Sequence, residues 1–346
     1  MKKPTFRTWL TLVTLVLLTL VVILAWPEIM KAWALMGKVD LWILALLIPV
    51  QFASYYATGG MIFSYLRAKG EIREMSHWGM TRLALELNFV NHILPSGGAA
   101  GFSYLAWVLG KHKVSAARST MAQIIRFTLT FISFVVLLLV ALFVLALNHQ
   151  ADKTMVLLSL ALTVAAIGGT GVVIWLVKSR ARLTRFAHWL TRKVNNTVGF
   201  FTGGKKKDIL GGSLLQRFFE GLHDDYDELR KDRKILIVPF IWAVVANLLD
   251  VALIWISFWS LGFQLDPATL FIAFGLASIV SALAVTPGGA GVYETIMVMF
   301  LAASGVTPGV AIAGTLLARV TLLAGTIVFG YVFYQLTLAR SGKRPA

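Results

Sequence analysis

Six apolar segments, each long enough to cross the hydrocarbon core of a membrane, constrain the fold of this chain more than any other feature. A helix needs about 20 such residues to span that core. Of the 346 residues, 58% are hydrophobic and 14% are charged, whereas soluble domains have about 45–50% and 25%. The sequence therefore predicts an all-α polytopic membrane protein. The predicted spans are 9–26, 41–66, 120–147, 155–177, 235–261 and 310–336.

The basic residues predict how the chain is oriented. Lysine and arginine exceed the acidic residues by 16, but nucleic-acid-binding modules are not built from long apolar segments, so we expect no nucleic-acid partner. Basic clusters mark the cytoplasmic ends of spans, which predicts a multi-pass protein of the cell (inner) membrane with both termini in the cytoplasm. Lys2, Lys3 and Arg7 precede the first span, which we interpret as an uncleaved signal anchor.

Two further apolar segments, 80–109 and 268–303, are broken by Pro-Gly sequences. Each arm has about 15–18 residues, or about 22–27 Å of helix, which is shorter than a hydrocarbon core of about 30 Å. We predict that both are re-entrant helical hairpins. Two full spans would return the chain to the same side equally well, so that alternative stays open.

The two breaks resemble each other. Pro95 to Gly101 matches Pro287 to Gly291 with a two-residue contraction, and a single arginine, Arg126 or Arg319, follows in the next apolar helix. Gly/Pro-interrupted segments at corresponding places in two halves indicate an inverted-repeat transporter. The prediction is a single membrane domain in an inverted 3+3 repeat. Its parts are repeat one at about 8–147, repeat two at about 155–338, and a basic cytoplasmic loop at 178–234.

Apolar residues at helical spacing near the end of that loop predict an amphipathic helix, packed on the membrane surface or on the bundle. The loop also contains Lys205, Lys206 and Lys207, which we interpret as part of a solvated connector.

Around the two breaks the chain resembles the flippase-like family typified by the transmembrane region of lysylphosphatidylglycerol synthase. The resemblance covers roughly residues 5–338 and includes Gly-Val-Tyr-Glu at 291–294. It implies movement of a phospholipid, or a related anionic or amino-modified lipid, between leaflets through a central cavity. The soluble aminoacyl-transfer domain of such synthases has no counterpart here, so we expect no enzyme activity. Many members carry Gly-Glu where this chain has Gly98-Ala99.

The chemistry of the breaks predicts a phosphate site. Helices that restart inside a membrane offer backbone N–H groups to an anion, and guanidinium groups bind phosphate in a bidentate manner. The alternative is that the arginines form ion pairs with Asp250 or Glu294. The predicted substrate-binding residues are Arg126, Arg319, Ser96, Gly97, Gly98, Gly288, Gly289 and Asn91.

A second group of residues is predicted to couple transport or to form charge pairs. Arg82 and Glu86 have the i,i+4 spacing of a helical ion pair. Asp250 is either a proton or counter-ion site or one half of a structural pair, and His92 is expected to make a polar contact beside the break. The full set is Glu294, Asp250, Glu86, Arg82 and His92.

Several function classes are not supported by any motif. The chain has no cysteine, and it lacks a phosphate-binding nucleotide loop, a serine nucleophile elbow and a zinc-protease helix, so we expect no cofactor or metal. Three classes remain: a lipid transporter, a transporter of a polar glycolipid intermediate, and a non-transporting partner of a lipid- or glycan-modifying enzyme. The partners consistent with them are membrane phospholipids, a second copy of the chain, or a separate lipid-modifying enzyme.

Overall fold

The fold is a bundle of α-helices, seen in a computed structural model that describes residues 39–93, 99–147, 153–186, 212–282 and 289–341, with isolated positions elsewhere. Within these residues there are eleven α-helices and no β-strand. They are α1 (Leu41–Ala45), α2 (Leu47–Ala68), α3 (His77–Ile93), α4 (Ala99–Gly110), α5 (Ala116–Leu147), α6 (Lys153–Val177), α7 (Gly212–Lys231), α8 (Ile237–Ser260), α9 (Pro267–Ala282), α10 (Val292–Ala303) and α11 (Pro308–Ser341).

Five helical stretches are long and apolar enough to cross a membrane, which confirms five of the six predicted spans. They are Leu41–Ala68, Ala116–Leu147, Val156–Val177, Arg233–Ser260 and Pro308–Ala339. Most of the sixth, 9–26, lies outside the described residues. On α5 a stripe of exposed apolar residues marks a lipid-facing side, because such a stripe would be unfavourable in water: Leu139, Val140, Phe143 and Leu147.

The centre of the bundle is the pair α2 and α8, which share the most extensive helix contact among the described elements. Helix α8 also packs against α5 and α11. At the end of α8, the carbonyl of Ser260 accepts from the backbone N–H of Asp40, which directly precedes α1, at 2.8 Å. The Asp40 carboxylate caps α1 by accepting from the backbone of Trp42 and Ile43.

The two broken segments appear as pairs of short neighbouring helices. Helices α3 and α4 contact each other, as do α9 and α10. Their lengths are 17 and 12 residues in the first pair and 16 and 12 in the second. The first arm of each pair therefore has the predicted length of 15–18 residues, and the second arm of each pair is shorter. The breaks at 94–98 and 283–288 lie outside the described residues, and with them Ser96, Gly97, Gly98 and Gly288.

Helix α7 is the predicted amphipathic helix, and the structure packs it on the bundle. It contacts α5 and α6, and its apolar side buries Phe219 and Leu222. Its polar side is held by Arg118 at the start of α5, which donates to Asp225 at 2.9 Å and to Glu228 at 3.2 Å. The lysine run 205–207 lies outside the described residues.

Candidate functional site

Arg126 lies inside a membrane-spanning helix, and no described residue provides it with an acidic partner. It sits ten residues after the start of α5, or about 15 Å along the helix axis. Its Nε donates to Oε1 of Gln123 at 2.8 Å, and its guanidinium carbon lies 4.1 Å from the ring centroid of Phe127. No carboxylate of the described residues lies within 4.0 Å of it.

The surroundings of Arg126 offer hydrogen-bond donors. Gln123 is 1% exposed, its oxygen accepts from Arg126, and its amide nitrogen is buried with no hydrogen-bond partner among the described residues. Phe127 stacks on Phe102 of α4, with ring centroids 5.8 Å apart, so this part of α5 lies beside the first turn of the second arm. A half-buried guanidinium next to an amide N–H that has no partner among the described residues favours an anionic acceptor.

Arg319 is held differently. Its Nε donates to Oε1 of Glu294 at 2.6 Å, and its guanidinium lies 4.7 Å from the ring centroid of Tyr293. The other oxygen of Glu294 accepts from the backbone N–H of Gly291 at 2.7 Å and so caps the start of α10. Gly291 has a φ of +83°, which a side chain with a Cβ rarely adopts. One carboxylate therefore joins α10 to α11 and fixes the turn before α10.

Asp250 and Asn247 lie on α8 and face different neighbours. Asn247 donates to the carbonyl of Thr130 at 3.0 Å and to the hydroxyl of Ser133 at 2.7 Å, both on α5. Asp250 accepts from the hydroxyl of Ser54 on α2 at 2.6 Å. No lysine or arginine of the described residues lies within 4.0 Å of its carboxylate. Neither candidate arginine is therefore paired with Asp250.

A polar network that the sequence did not predict joins α2, α3 and α11 in the middle of the bundle. The amide of Gln51 donates to the hydroxyl of Tyr55 at 2.7 Å and to the carbonyl of Leu322 at 2.9 Å. Tyr55 shares a hydrogen bond of 2.5 Å with Thr326, which also accepts from Asn88 at 3.4 Å. The only sequence signal was the i,i+4 spacing of Gln51 and Tyr55 within an apolar span.

Arg82 and Glu86 form the ion pair that their spacing predicted, at 2.9 Å. Glu86 is 1% exposed, and it also accepts from Thr337 of α11 at 2.6 Å and from Tyr104 of α4 at 2.7 Å. Arg82 donates to Thr337 as well. This cluster ties both arms of the first broken segment to α11, and the two hydroxyl partners were not predicted.

The remaining described candidates lie beside the breaks. His92 makes a polar contact of 2.9 Å with the carbonyl of Asn88. The side-chain oxygen of Asn91 is buried without a partner among the described residues, and the side chain packs against Gly101, where a Cβ would lie 2.8 Å from its Cγ. Gly289 is buried with a φ of +70°. No three His, Asp or Glu side chains of the described chain come together as a metal site.

Comparison with known proteins identifies the family. Residues 9–330 match the family described as the lysylphosphatidylglycerol synthase TM region. A UPF0104 membrane protein of Methanothermobacter thermautotrophicus is 22% identical over 237 residues, which are 66% of this chain and 67% of that protein. A second UPF0104 membrane protein, from Methanocaldococcus jannaschii, is 21% identical over 252 residues, 70% of each chain. No solved structure matches. The chain is therefore a multi-pass membrane protein that belongs to the lysylphosphatidylglycerol synthase TM region family.

Proposed function

We propose that this protein moves a phospholipid, or a related anionic lipid, between the two leaflets of the membrane. The observation that carries the proposal is Arg126, a guanidinium inside a membrane-spanning helix with no carboxylate of the described residues beside it. The family description supports it, since it names the membrane region of a synthase of a phospholipid.

The free-energy cost of placing the Arg126 cation inside the membrane favours the binding of an anionic ligand beside it. An arginine at the centre of a membrane costs at least about 2.5–3.5 kcal/mol on insertion scales, so an anion that binds there recovers part of that cost. A lipid phosphate is such an anion, and the planar guanidinium can meet two of its oxygens. The free amide nitrogen of Gln123 supplies a further donor on the same face of α5.

The pattern of helix contacts supports an inverted repeat around this site. With α1 and α2 equivalent to α8, and α3, α4 and α5 equivalent to α9, α10 and α11, contacts come in corresponding pairs. These pairs are α2–α3 with α8–α9, α4–α5 with α10–α11, α2–α5 with α8–α11, and α3–α11 with α9–α5. In this arrangement both broken segments are re-entrant, and their short arms surround a central cavity.

The predicted backbone contacts complete the proposed site. The sequence predicts a helix N-terminus at the start of each second arm, which would add backbone N–H donors and partial positive charge. Arg319 would face the same cavity while it remains paired with Glu294. In this proposal Asn91 positions the first break through its contact with Gly101.

The proposal is tested in vesicles that contain a fluorescent phospholipid. Dithionite bleaches only the outer leaflet, so protein-dependent exchange increases the bleached fraction. We expect exchange with the wild-type chain, a loss of at least tenfold with Arg126→Ala, and a smaller loss with Arg126→Lys. Val140→Ala, at a 53% exposed position of the same helix, is the matched control. Exchange no faster than in protein-free vesicles would instead favour a non-transporting partner of a lipid-modifying enzyme.

The re-entrant geometry has its own test. Because the sequence contains no cysteine, a single introduced cysteine can be labelled without background. With Ser96→Cys, a re-entrant tip inside the membrane should exclude a bulky thiol-reactive polyethylene glycol from both sides. Two full spans would place residue 96 in a loop outside the membrane, so rapid labelling by that bulky reagent from the side opposite the loops at 76 and 111 would show that 80–109 forms two full spans.

A further inference from the structure

Asp250 is a half-buried acidic group at membrane depth for which the lipid site leaves no role. It is thirteen residues from the start of α8 and ten from its end, which places it about 15–20 Å from either end of a membrane-spanning helix. A carboxylate at that depth requires a cation, a wet cavity or a proton. The described part of the chain places no lysine or arginine within 4.0 Å of it.

Its immediate contacts leave the carboxyl group free to exchange a proton. One oxygen accepts from Ser54 at 2.6 Å, and the carboxyl oxygens are not among the buried atoms that lack a partner. Asp250 itself is half-buried, not sealed in the core. By contrast Glu86, the other acid deep in the bundle, is 1% exposed and accepts three hydrogen bonds.

Polar side chains lie between the first broken segment and the region of Asp250. Asn88 of α3 donates to Thr326, Thr326 shares a hydrogen bond with Tyr55, and Tyr55 lies close enough to Asp250 to interact with its charge. Tyr55 follows Ser54 directly on α2. These neutral polar groups place hydrogen-bonding partners between α3 and the side of α2 that meets Asp250.

The other charged and titratable groups around Asp250 are few. From α2 they are Tyr55 and the hydroxyl of Ser54; from α10, Tyr293 interacts with its charge. From α11, Arg319 lies over Tyr293 but is paired with Glu294. Helix α5 meets this part of α8 through neutral groups, Thr130 and Ser133, which bind Asn247.

We propose that Asp250 carries the proton that couples lipid movement to the proton gradient across the membrane. The inference rests on the proposed lipid transport and adds its energy source. The carboxylate takes a proton from water on one side and returns it to water on the other, so the net reaction transfers one proton and forms no covalent bond. In its neutral form the carboxyl group no longer repels the anionic headgroup, and in its ionised form it favours release.

The experiment compares leaflet exchange with and without an imposed pH gradient in the same vesicles. For each variant the measured quantity is the ratio of the two rates. We expect a ratio of at least three for the wild-type chain, a ratio of one for Asp250→Asn, and a ratio near the wild-type value for Asp250→Glu. Ser257→Ala, which removes a buried hydroxyl from the same helix, is the matched control and should keep the wild-type ratio.

The outcomes separate the two proposals. If the wild-type chain catalyses no exchange, lipid transport fails and coupling fails with it. If it catalyses exchange with a ratio of one, transport stands and coupling is overturned. If Asp250→Asn keeps the wild-type ratio, the assignment to Asp250 is overturned.

A spectroscopic measurement covers the case in which Asp250→Asn abolishes exchange. All 16 acidic residues can contribute to infrared difference spectra between acidic and alkaline buffer. Subtracting the difference spectrum of folded Asp250→Asn from that of the folded wild-type protein should therefore leave one protonated carboxyl band, which belongs to Asp250. An unchanged spectrum in the variant would overturn the assignment.

Discussion

Arg126 in α5 and Arg319 in α11 follow the two helical breaks at matching distances in the chain, yet their partners differ. Arg319 is paired with Glu294, three residues after Gly291. The residue three positions after the matching glycine, Gly101, is Tyr104, and its hydroxyl donates to Glu86. In the first half Glu86 therefore pairs with Arg82, and Arg126 donates to the neutral side chain of Gln123.

This difference separates a structural cation from one that can bind a ligand. Breaking a partly buried ion pair leaves an uncompensated charge, so each member of the Arg319–Glu294 pair holds the other in place. Arg126 pairs with no carboxylate of the described residues, and in the proposed function its charge binds the anionic lipid. In the proposed function the same residue type has different roles in the two halves, because Tyr104 of α4 stands where α10 has Glu294.

Removing Glu294 should produce the largest effect on stability. Glu294→Ala leaves Arg319 without its carboxylate and removes the cap on the N–H of Gly291, so we expect the free energy of unfolding to fall by about 3 kcal/mol. Thermal unfolding in detergent measures this. The double variant Glu294→Gln with Arg319→Gln should recover part of the loss. If it is no more stable than Glu294→Ala, the pair is not what holds α10 to α11.

Replacing Arg126 should change the stability little and reduce leaflet exchange strongly. Arg126→Gln removes an unpaired charge, so we expect the free energy of unfolding to change by less than about 1 kcal/mol. Leaflet exchange should fall at least tenfold, which corresponds to about 1.4 kcal/mol. Measuring both quantities on the same purified samples is the check. A large drop in stability without a specific loss of exchange would make Arg126 a structural residue like Arg319.

The sequence predicted those parts of the fold that depend on local properties. Five spans follow from apolar length alone, and the Arg82–Glu86 pair follows from i,i+4 spacing within one helix. The amphipathic side of α7 also follows from local periodicity, but the sequence predicted packing either on the membrane surface or on the bundle. The ion pairs of Arg118 with Asp225 and Glu228 show that the surface is the bundle.

The contacts between distant helices could not be predicted, because they depend on how each helix is rotated. Gln51 and Leu322 are 271 residues apart in the chain, and the Tyr104 hydroxyl reaches Glu86 across the first break. A strongly apolar helix such as α5 gives little hydropathy signal about which side faces its neighbours. Whether Arg126 or Arg319 has an acidic partner is decided by that rotation.

The matching glycines of the two halves should respond to alanine for different reasons. In Gly101→Ala the new Cβ would lie 2.8 Å from Cγ of Asn91, and such overpacking costs about 1–3 kcal/mol. In Gly291→Ala there is open space around the Cβ, but a φ of +83° strains it by about 1–2 kcal/mol. Adding Asn91→Ala should therefore restore stability only with Gly101→Ala, as thermal unfolding can show. Restoration of both would contradict the distinction.

The smallest effects are expected where ion pairs meet water. Lys69 donates to Glu228 at 2.9 Å, and Glu228 is about half exposed, so raising the salt concentration should weaken the contact by less than about 1 kcal/mol. The hydrogen bond from Lys69 lowers the pKa of Glu228. Its stabilising contribution is therefore complete above the unfolded value of about 4.3 and is lost as the pH falls through the lower folded value. The hydrogen-exchange protection of α7, measured relative to the intrinsic exchange rate at each pH, should fall with salt and with acid, whereas the protection of α10, held by Glu294 within the bundle, should not respond to salt. An equal response of both helices would mean that the Arg319–Glu294 pair is as exposed to water as the contacts of α7.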